Sequence, residues 1–358
     1  MQIKRIVKNK VIDLWLFTAT YTSFYKHHKL VSNNPSFKKT ALTSNEKKEY
    51  LDYWKVISPI ISLKTVEISK SLSGVFDKRI IPEEFYTLYI ESYLNSSRSV
   101  TFFENKSTYA KWFNKGVFPK NLFHKFDNIY YTNDFTIIDN IENFINKEIK
   151  EADFPVVIKP NKGTIGGTGV NFIDNINDMK TAIEKYSNLV VEEKIKQSEL
   201  IAQVNKDGVS TVRVTLYKDN NGIIRILESN IRMGKDGSLD NEGSGGIACN
   251  IYPDGSFNSY ATDRWANKYS EHPNSGFVFA GKQLPFYEEL IETSKNVFIQ
   301  VVDARIVGLD MILDSTQNWR CIELSLFGLT TKPSQYAGDP FLSEYTDEIV
   351  NDVANLND

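Results

Sequence analysis

Two acidic residues occupy facing positions near the end of the chain, in a segment with the pattern of a β-hairpin. The segment IVGLDMILD-STQN-WRCIELSL contains two alternating runs separated by turn-forming residues. A turn centred between Thr316 and Gln317 places Asp310 directly opposite Glu323, because both positions are equally far from it. Side chains alternate between the two faces of a strand, so the remaining positions form a second, apolar face. That face contains Leu309, Met311, Leu313, Ile322 and Leu324.

The facing carboxylates indicate a site for a divalent cation. Their Cβ atoms lie about 5 Å apart in such a hairpin, and at an effective dielectric constant of about 20 the two charges repel by roughly 3 kcal/mol. A cation that bridges Asp310 and Glu323 removes this repulsion, and carboxylate oxygens suit Mg²⁺ when phosphates complete its octahedron. The alternative is a pair of exposed acids in a longer, more solvated loop. The apolar face behind the two acids favours the metal site.

A second hairpin predicts an anion-binding pair of arginines. A two-residue turn at Asn221-Gly222 pairs Arg213 with Asn230 and places Arg232 diagonally from Arg213 on the same face. Guanidinium groups match phosphate or carboxylate oxygens, and Glu228 is the only acid nearby in sequence. The hairpin therefore favours an anion site, with a solvated polar face as the alternative. The opposite, core face contains Val212, Val214, Leu216, Leu227, Ser229 and Ile231.

The segment NKGTIGGTGV is rich in glycine and follows an apolar run that ends at Lys159. Its glycines are Gly163, Gly166, Gly167 and Gly169. Backbone N–H groups in such a loop approach phosphates closely. The segment lacks the ending of a P-loop, and a strand follows it where a dinucleotide-binding fingerprint needs a helix. It therefore predicts a mobile flap between two strands, with a flexible surface hairpin as the alternative.

Composition and charge are typical of a soluble globular protein with more than one packed unit. The 358 residues exceed the size at which single cores stop growing, and 41% are hydrophobic. A net charge of -3 provides no field to attract nucleic acid, which is therefore not an expected partner. Two cysteines argue against a disulfide-stabilised secreted protein. The apolar stretch from Val11 to Phe17 is too short for a transmembrane segment and has no small-residue cleavage site, so we expect a cytoplasmic location.

The chain changes character after about residue 150. Before that point, Thr43 and Glu46 form a capping-box pattern at the start of one helix, and Pro82 opens a second. The segment STYAKWFNK predicts a third helix that ends near Gly116. After that point, FPVVIKP, GVNFI and LVVEEKI predict strands, while NINDMKTAIEKYS and PFYEELIETSKNVFIQV predict helices. Asp254-Gly255 marks another two-residue turn.

The order of these elements resembles the ATP-grasp superfamily. The similar phrases are ENKSTYAKWF, VIKPNKGTIGGTGV, VVEEKI, STVRVTL, GSGGI, HPNSGFVFAG and VGLDMIL…CIELS, and together they resemble the subgroup associated with sugar transfer and capsular polysaccharides. The resemblance implies an α+β ATP-grasp fold, in which two α+β subdomains grip ATP. It divides the chain into a mainly helical N-terminal region (1–103), a first ATP-grasp segment (104–153), a lid subdomain (154–198) and a C-terminal subdomain with the metal site (199–358).

The resemblance also implies which residues bind the nucleotide. Lys106 and Lys159 would contact ATP phosphates, and the flap from Gly163 to Gly169 would close over the β- and γ-phosphates. The residues near the adenine and the ribose would be Glu192, Glu193, Lys194 and Glu199.

For the reacting groups, the resemblance implies that Arg213 and Arg232 hold the transferred phosphate, and that Asp310 and Glu323 ligate Mg²⁺. The family pattern usually ends Glu-any-Asn, whereas this chain has Ser325 at the last position. Its hydroxyl either ligates the metal weakly or through water, or the second metal site is impaired and turnover is lost.

The implied activity is ATP-dependent ligation of a carboxylate to an amine through an acyl phosphate, with ATP and Mg²⁺ as cofactors. The implied partners are a small-molecule or glycan carboxylate and an amine acceptor, for example a sugar acid and an amino acid in surface-polysaccharide modification. The alternatives are a kinase of the same fold, an inactive ATP-binding module and a scaffold that binds no nucleotide. The sequence names neither the substrates nor the oligomeric state.

Overall fold

The computed structural model describes residues 18–163, 169–205, 208–237 and 245–355. Over these residues the chain is an α+β protein in which helices surround two antiparallel sheets. The helices of the first part are α1 (18–32), α2 (Ser44–Trp54), α3 (Lys64–Ser73), α4 (Glu83–Phe85), α5 (Glu91–Leu94) and α6 (Tyr109–Trp112). The later helices are α7 (Ile141–Glu148), α8 (Ile176–Ile183), α9 (Glu199–Ala202), α10 (Tyr287–Phe298), α11 (Lys332–Ala337) and α12 (Thr346–Ala354).

Two of the three predicted early helices begin where the sequence places them. The capping box at α2 is confirmed, because Thr43 Oγ1 accepts the Glu46 N–H at 3.2 Å and Glu46 Oε2 accepts the Thr43 N–H at 2.6 Å. Pro82 precedes α4, and a π-helical turn, Tyr86–Ile90, joins α4 to α5.

The third predicted helix is shorter than expected. A 3₁₀ turn, Lys106–Thr108, leads into α6, which ends at Trp112 and not near Gly116. Phe113 leaves the helix in an extended conformation, and its ring packs against Phe118 with 4.7 Å between ring centroids. Burial of the Phe113 ring therefore ends the helix at Trp112, before the end near Gly116 that the sequence predicts.

The first sheet has the strand order β2-β1-β5-β3-β4. Its strands are β1 (Asn121–Phe126), β2 (Ile129–Thr132), β3 (Val156–Pro160), β4 (Asn171–Ile173) and β5 (Leu189–Glu193). Helices α7 and α8 contribute to the apolar core of this sheet, which includes Phe123, Ile158 and Val191. Strands β3, β4 and β5 match the predicted segments, whereas β1 and β2 lie in a part of the chain for which no strand was predicted.

The second sheet has seven strands in the order β10-β9-β8-β7-β6-β11-β12. They are β6 (Ser210–Lys218), β7 (Ile224–Met233), β8 (Ile247–Ile251), β9 (Ala261–Thr262), β10 (Lys268–Tyr269), β11 (Ile306–Leu313) and β12 (Trp319–Ser325). One face packs against α10 in the largest apolar core, which includes Val214, Leu309 and Phe298. A second core packs the early helices and α12 against the sheet through Trp54, Tyr217 and Ile306.

The two-residue turns predicted at Asn221-Gly222 and Asp254-Gly255 are wrong, and so is the turn centre predicted between Thr316 and Gln317, because all three hairpins close through three-residue loops. The Asp219 and Asp314 N–H groups donate to the carbonyls of Ile223 at 3.0 Å and Asn318 at 2.9 Å. The third loop has the same pattern between Tyr252 and Ser256, at 2.8 Å. The last loop residue is left-handed in each case, at Gly222, Gly255 and Gln317. The carboxylates of Asp219 and Asp314 accept loop N–H groups and select the longer loop.

A three-residue loop shifts the pairing of the two strands by one residue, and in two of the hairpins a β-bulge shifts it back. The extra residues are Leu227 on β7 and Ile322 on β12, at the irregularities between Thr215 and Leu216 and between Asp310 and Met311. Leu227 therefore leaves the predicted core face and packs in the helical core.

Ile322 is likewise only half-buried, and Cys321 takes its predicted core position. The register beyond each bulge returns to the predicted one, so Asp310 faces Glu323 and Arg213 faces Asn230. Within the described residues, no helix is both long enough and apolar enough to cross a bilayer.

A buried ion pair joins the early helices to α11. Glu83 on α4 lies 3.2 Å from the Lys332 ammonium and 3.7 Å from His28 Nε2. Burial raises the pKa of Glu83, but Lys332 and His28 outweigh this effect and lower its pKa to about 2. Glu84, the next residue, is also buried, and burial raises its pKa.

These opposite shifts predict opposite dependences of stability on pH. The stabilisation by Glu83 is present above its ordinary pKa of 4.5 and is lost as the pH falls to about 2. We expect the free energy of unfolding to fall over this range by up to about 3 kcal/mol more in the wild type than in Glu83→Gln. Glu84→Gln should remove a contribution of opposite sign, because a raised pKa stabilises the fold at low pH. Urea unfolding at successive pH values measures both. An unchanged acid dependence in Glu83→Gln contradicts the assignment.

Candidate functional site

A row of polar residues crosses the face of the second sheet that lies opposite the α10 core. Glu323, Asp310, Arg213, Asn230 and Asn250 are successive cross-strand neighbours on β12, β11, β6, β7 and β8. Directly opposed residues of antiparallel strands share a face, so these five side chains lie side by side. We call them the Asp310 row.

Asp310 is held by two arginines. Its Oδ1 accepts from Arg213 Nε at 2.6 Å and from Arg232 Nη1 at 2.9 Å, and its Oδ2 accepts from Arg213 Nη2 at 2.9 Å. Burial raises the pKa of Asp310, but Arg213 and Arg232 together lower it to about 2. Burial lowers the pKa of Arg213, and Asp310 raises it above the ordinary value. The carboxylate is therefore ionised, and both guanidinium groups converge on it.

This pairing corrects the charge argument made from sequence. The arginine hairpin offered Glu228 as its only compensating acid, and repulsion between Arg213 and Arg232 pointed to an external anion. In the structure, Asp310 lies beside both arginines and compensates them directly. About a tenth of each arginine side chain remains exposed. Asp310 therefore orients both guanidinium groups and leaves part of each one exposed.

Two lysines and two further acids complete the centre. Lys106 Nζ lies 3.1 Å from Glu323 Oε1, and Lys159 on β3 pairs with Glu192 on β5. Burial raises the pKa of Glu192, with Lys159 and then Lys106 opposing it. Lys106 and Glu323 are far apart in sequence, so the structure brings one predicted phosphate lysine, in the 3₁₀ turn before α6, to a predicted metal ligand on β12.

Asn161 fixes the position of Lys106 and was not identified from the sequence. Its backbone carbonyl accepts the Lys106 N–H at 3.0 Å, and its Oδ1 accepts the Ser107 hydroxyl at 2.8 Å. Its Nδ2 donates to the Lys125 carbonyl on β1 at 3.1 Å. The residue is buried and directly follows β3. Its place between Lys159 and the first flap glycine is the sequence signal that could have indicated this role.

Gly308 is a second residue that the sequence analysis missed. It faces Thr215 and Ser325 on the strands beside β11. A Cβ at this position would lie 2.7 Å from Leu329 Cδ2 and 2.9 Å from Arg213 Nη1. Glycine inside a strand marks a close approach of this kind, so its position two residues before Asp310 was an available signal.

We expect Gly308→Ala to displace the Arg213 guanidinium and to lower nucleotide-dependent activity at least tenfold, with about 1–3 kcal/mol of lost stability. The measurements are ADP release and urea unfolding. Gly222→Ala is the control: no atom lies within 4 Å of a Cβ there, so activity should be retained, although the positive φ of 78° makes alanine cost some stability. Unchanged activity in Gly308→Ala would show that Arg213 tolerates the methyl group.

The structure describes only part of the predicted flap. Gly163 and Gly169 both have positive φ, of 73° and 81°. A Cβ on Gly169 would lie 2.9 Å from Pro160 Cγ, so this glycine packs tightly against the end of β3. Gly166 and Gly167 lie outside the described residues.

The residues predicted near the adenine and ribose lie at and beyond the end of β5. Glu193 Oε1 accepts from Arg320 Nη2 at 2.9 Å and from the Lys120 N–H at 3.0 Å. The Lys194 ammonium lies 5.0 Å from the centre of the exposed Phe172 ring. Glu199 is exposed at the first position of α9. The structure thus places Glu193 against Arg320 of the second sheet, Lys194 against Phe172 of the first sheet, and Glu199 at the start of α9.

The two carboxylates of the row fit Mg²⁺ only together with a ligand that brings more oxygens. Asp310 and Glu323 face one another, and Ser325 follows Glu323 on the same face. Among the described residues, no three His, Cys, Asp or Glu side chains are grouped as a metal site. Two carboxylates and a hydroxyl leave several positions of an octahedron to water and phosphate, as Mg²⁺–nucleotide sites do.

Similar proteins were found in two of three comparisons. A family model described as sugar-transfer associated ATP-grasp matches residues 84–344. No curated protein shows significant similarity to the chain.

Several solved structures are similar at low identity. N5-carboxyaminoimidazole ribonucleotide synthetase from Thermotoga maritima is 13% identical, with a TM-score of 0.37, over 66% of this chain and 47% of that one. The biotin carboxylase domain of Hydrogenobacter thermophilus 2-oxoglutarate carboxylase is 12% identical, with a TM-score of 0.44, over 72% and 46%. L-amino acid ligase from Bacillus licheniformis is 12% identical, with a TM-score of 0.39, over 70% and 48%. The chain thus spans about half the length of these proteins.

The family match covers more than half of the chain and includes all five residues of the Asp310 row, together with Lys106 and Lys159. The chain therefore belongs to the sugar-transfer associated ATP-grasp family.

Proposed function

We propose that this protein is an ATP-dependent ligase that joins a carboxylate to an amine through an acyl phosphate. The observation that carries the proposal is the convergence of Arg213 and Arg232 on Asp310, directly beside Glu323. Phosphoryl transfer needs cations placed where negative charge accumulates, and this centre offers two fixed guanidinium groups. Lys106, in the 3₁₀ turn before α6, and Lys159, on β3, add two buried lysines.

In the proposed complex, Asp310 and Glu323 hold Mg²⁺, with Ser325 as a weak or water-mediated third ligand. The metal supplies Lewis-acid stabilisation of the ATP phosphates. Lys106 and Lys159 bind phosphate oxygens, and the glycine-rich flap covers them. Glu192, Glu193, Lys194 and Glu199 surround the adenosine. The apolar core behind the Asp310 row keeps the side chains of the row in register on rigid strands.

The reaction proceeds in two steps. A carboxylate oxygen of the substrate attacks the γ-phosphorus, the bond to the β-phosphate oxygen breaks, and ADP leaves. Arg213 and Arg232 bind the transferred phosphoryl group and orient the acyl phosphate. An amine nitrogen then attacks the acyl carbon, the carbon–oxygen bond to phosphate breaks, and the amine loses a proton as the amide forms. Exclusion of water by the flap protects the acyl phosphate from hydrolysis.

The family description suggests the substrate class. We propose that the carboxylate belongs to a sugar acid or a similar small molecule and that the amine belongs to an amino acid. The reaction takes place in the cytoplasm, and its product is used for surface polysaccharide. The helical N-terminal region then serves to bind an acceptor or a partner.

A panel assay tests the proposal. ADP release is measured with sugar acids and amino acids offered singly and in pairs, with Mg²⁺ present. Release that needs both a carboxylate and an amine supports a ligase, and a phosphorylated alcohol supports a kinase. Tight ATP binding without product in any combination indicates an inactive module, which the substitution at Ser325 would explain. Hydroxylamine is added to each carboxylate as a trap, because it converts an acyl phosphate into a hydroxamate.

A further inference from the structure

The Asp310 row continues beyond the arginines through two buried asparagines. Asn230 and Asn250 have side chains on the same face as Arg213, on the next two strands. Asn230 is 0% exposed and Asn250 is 5% exposed. Adjacent strands lie about 4.8 Å apart, so Asn230 is one strand and Asn250 two strands from Arg213. This distance is within the reach of a small substrate whose acyl phosphate is held by the arginines.

Two carboxylates fix the orientation of these amides. Asn230 Nδ2 donates to Glu228 Oε1 at 3.3 Å, and Asn250 Nδ2 donates to Asp339 Oδ2 at 3.1 Å. Only the NH₂ end of an amide can donate to a carboxylate, so the position of each carbonyl oxygen follows. Both Oδ1 atoms are buried, and neither accepts a hydrogen bond from any residue in the described ranges.

These two acceptors require a donor. A buried acceptor without a hydrogen bond has lost its contact with water and gained nothing in exchange, and native proteins rarely leave two of them side by side. The carboxylates of Glu228 and Asp339 make this end of the row negative, opposite in sign to the arginine end. Burial, with a smaller contribution from Asp77, raises the pKa of Asp339. No salt bridge to Asp339 occurs among the described residues, so an added cation would stabilise its charged form.

We propose that Asn230, Asn250 and Asp339 form the subsite for the amine, and that they bind a primary ammonium group through the two amide oxygens and the carboxylate. The inference rests on the proposed ligase function and specifies which part of the centre selects the nucleophile. A primary ammonium group supplies three N–H donors, which matches two amide oxygens and one carboxylate oxygen. The bound ammonium group thus lies beside the arginines that hold the acyl phosphate. It gives one proton to the adjacent Asp339 carboxylate, and the resulting amine nitrogen then attacks the acyl carbon.

The kinetic test uses Asn250→Leu and Asp339→Asn with the carboxylate that the panel identifies, and with ammonium chloride and hydroxylamine as amine probes. We expect the KM for the amine to rise about tenfold in both variants, while the KM for ATP changes less than about twofold. Asn258→Leu is the matched control, since Asn258 is also buried beside β8 but both ends of its amide have a partner: its Oδ1 accepts from the Tyr252 hydroxyl and its Nδ2 donates to the Tyr260 carbonyl. Asp339 is half-buried, so Asp339→Asn tests the subsite even if Asn250→Leu does not fold. An unchanged amine KM in the folded variants overturns the proposal and leaves ordered water as the occupant.

A second measurement does not depend on turnover. Methylammonium chloride should raise the Tm of the wild type above that in sodium chloride of equal ionic strength, and Asp339→Asn should lose the difference. If this difference is present but no ADP is released with any substrate pair, the ligase function fails and the amine subsite stands. If ADP release requires an amine but neither the Tm nor the amine KM depends on Asp339, the ligase function stands and the subsite is refuted.

Discussion

Replacing Asp310 with asparagine is expected to lower ADP release about a thousandfold, with little change in the size of the side chain. The carboxylate accepts three hydrogen bonds from Arg213 and Arg232 and faces Glu323 across the strand pair. An asparagine retains one acceptor and turns an NH₂ group toward a guanidinium. It also removes one of the two proposed Mg²⁺ ligands. Activity should therefore fall, and the remaining activity should need more Mg²⁺ for half-saturation.

The matched control for this prediction is Asp314→Asn, at the end of the same hairpin. Asp314 is also buried, but its carboxylate accepts the N–H groups of Thr316 and Asn318 and lies 3.6 Å from Arg320, not beside Arg213 or Arg232. We expect a loss of stability there with activity retained in the folded fraction. Steady-state ADP release at a series of Mg²⁺ concentrations, with urea unfolding of each variant, gives both quantities. If Asp310→Asn keeps wild-type activity and Mg²⁺ dependence, the proposed reaction centre is wrong.

The second large effect is expected for Lys159→Met, which should destabilise the fold by about 3–5 kcal/mol and remove nucleotide binding. Lys159 and Glu192 form a buried pair on adjacent strands of the first sheet. Methionine fills the same space but leaves the Glu192 carboxylate buried with only the more distant charge of Lys106 to oppose its desolvation. The pKa of Glu192, already raised by burial, rises further.

The sign of the pH dependence distinguishes this mechanism from a general loss of packing. A carboxyl whose pKa is raised in the folded state stabilises the fold at low pH, and this contribution is lost as the pH rises through the folded pKa. Lys159→Met should therefore be closest to the wild type in stability at mildly acid pH and farthest from it above neutrality.

Two further variants separate the lost ion pair from lost packing. Lys159→Met combined with Glu192→Gln should recover much of the stability but not the nucleotide binding. Lys125→Met is the matched control, since Lys125 is buried in β1 but donates to the Ile183 carbonyl. Urea unfolding from mildly acid to mildly alkaline pH, together with ATP titration calorimetry, measures these effects. Equal losses for Lys125→Met and Lys159→Met at every pH would contradict the role of Glu192.

The elements that the sequence determined by itself depend on local patterns. The capping box at Thr43 and the strands on either side of the flap follow from neighbouring residues, because caps and strand alternation involve only short separations along the chain. The family resemblance also required only the order of such segments. The facing of Asp310 and Glu323 was predicted correctly although the turn was not, because a bulge at Ile322 offset the three-residue loop.

Other features were decided only by the tertiary structure. The pairing of Asp310 with Arg213 requires β11 to lie beside β6, and the pairing of Lys106 with Glu323 requires the 3₁₀ turn before α6 to lie against β12. The hydrogen bonds of Asn161 to Ser107 and Lys125 depend in the same way on contacts between segments that are distant in sequence. No local pattern reports which strands become neighbours, since that choice is set by burial of whole faces and not by individual residues. The sequence therefore determined which charged groups the protein has, and packing of the two sheets decided which of them neutralise one another.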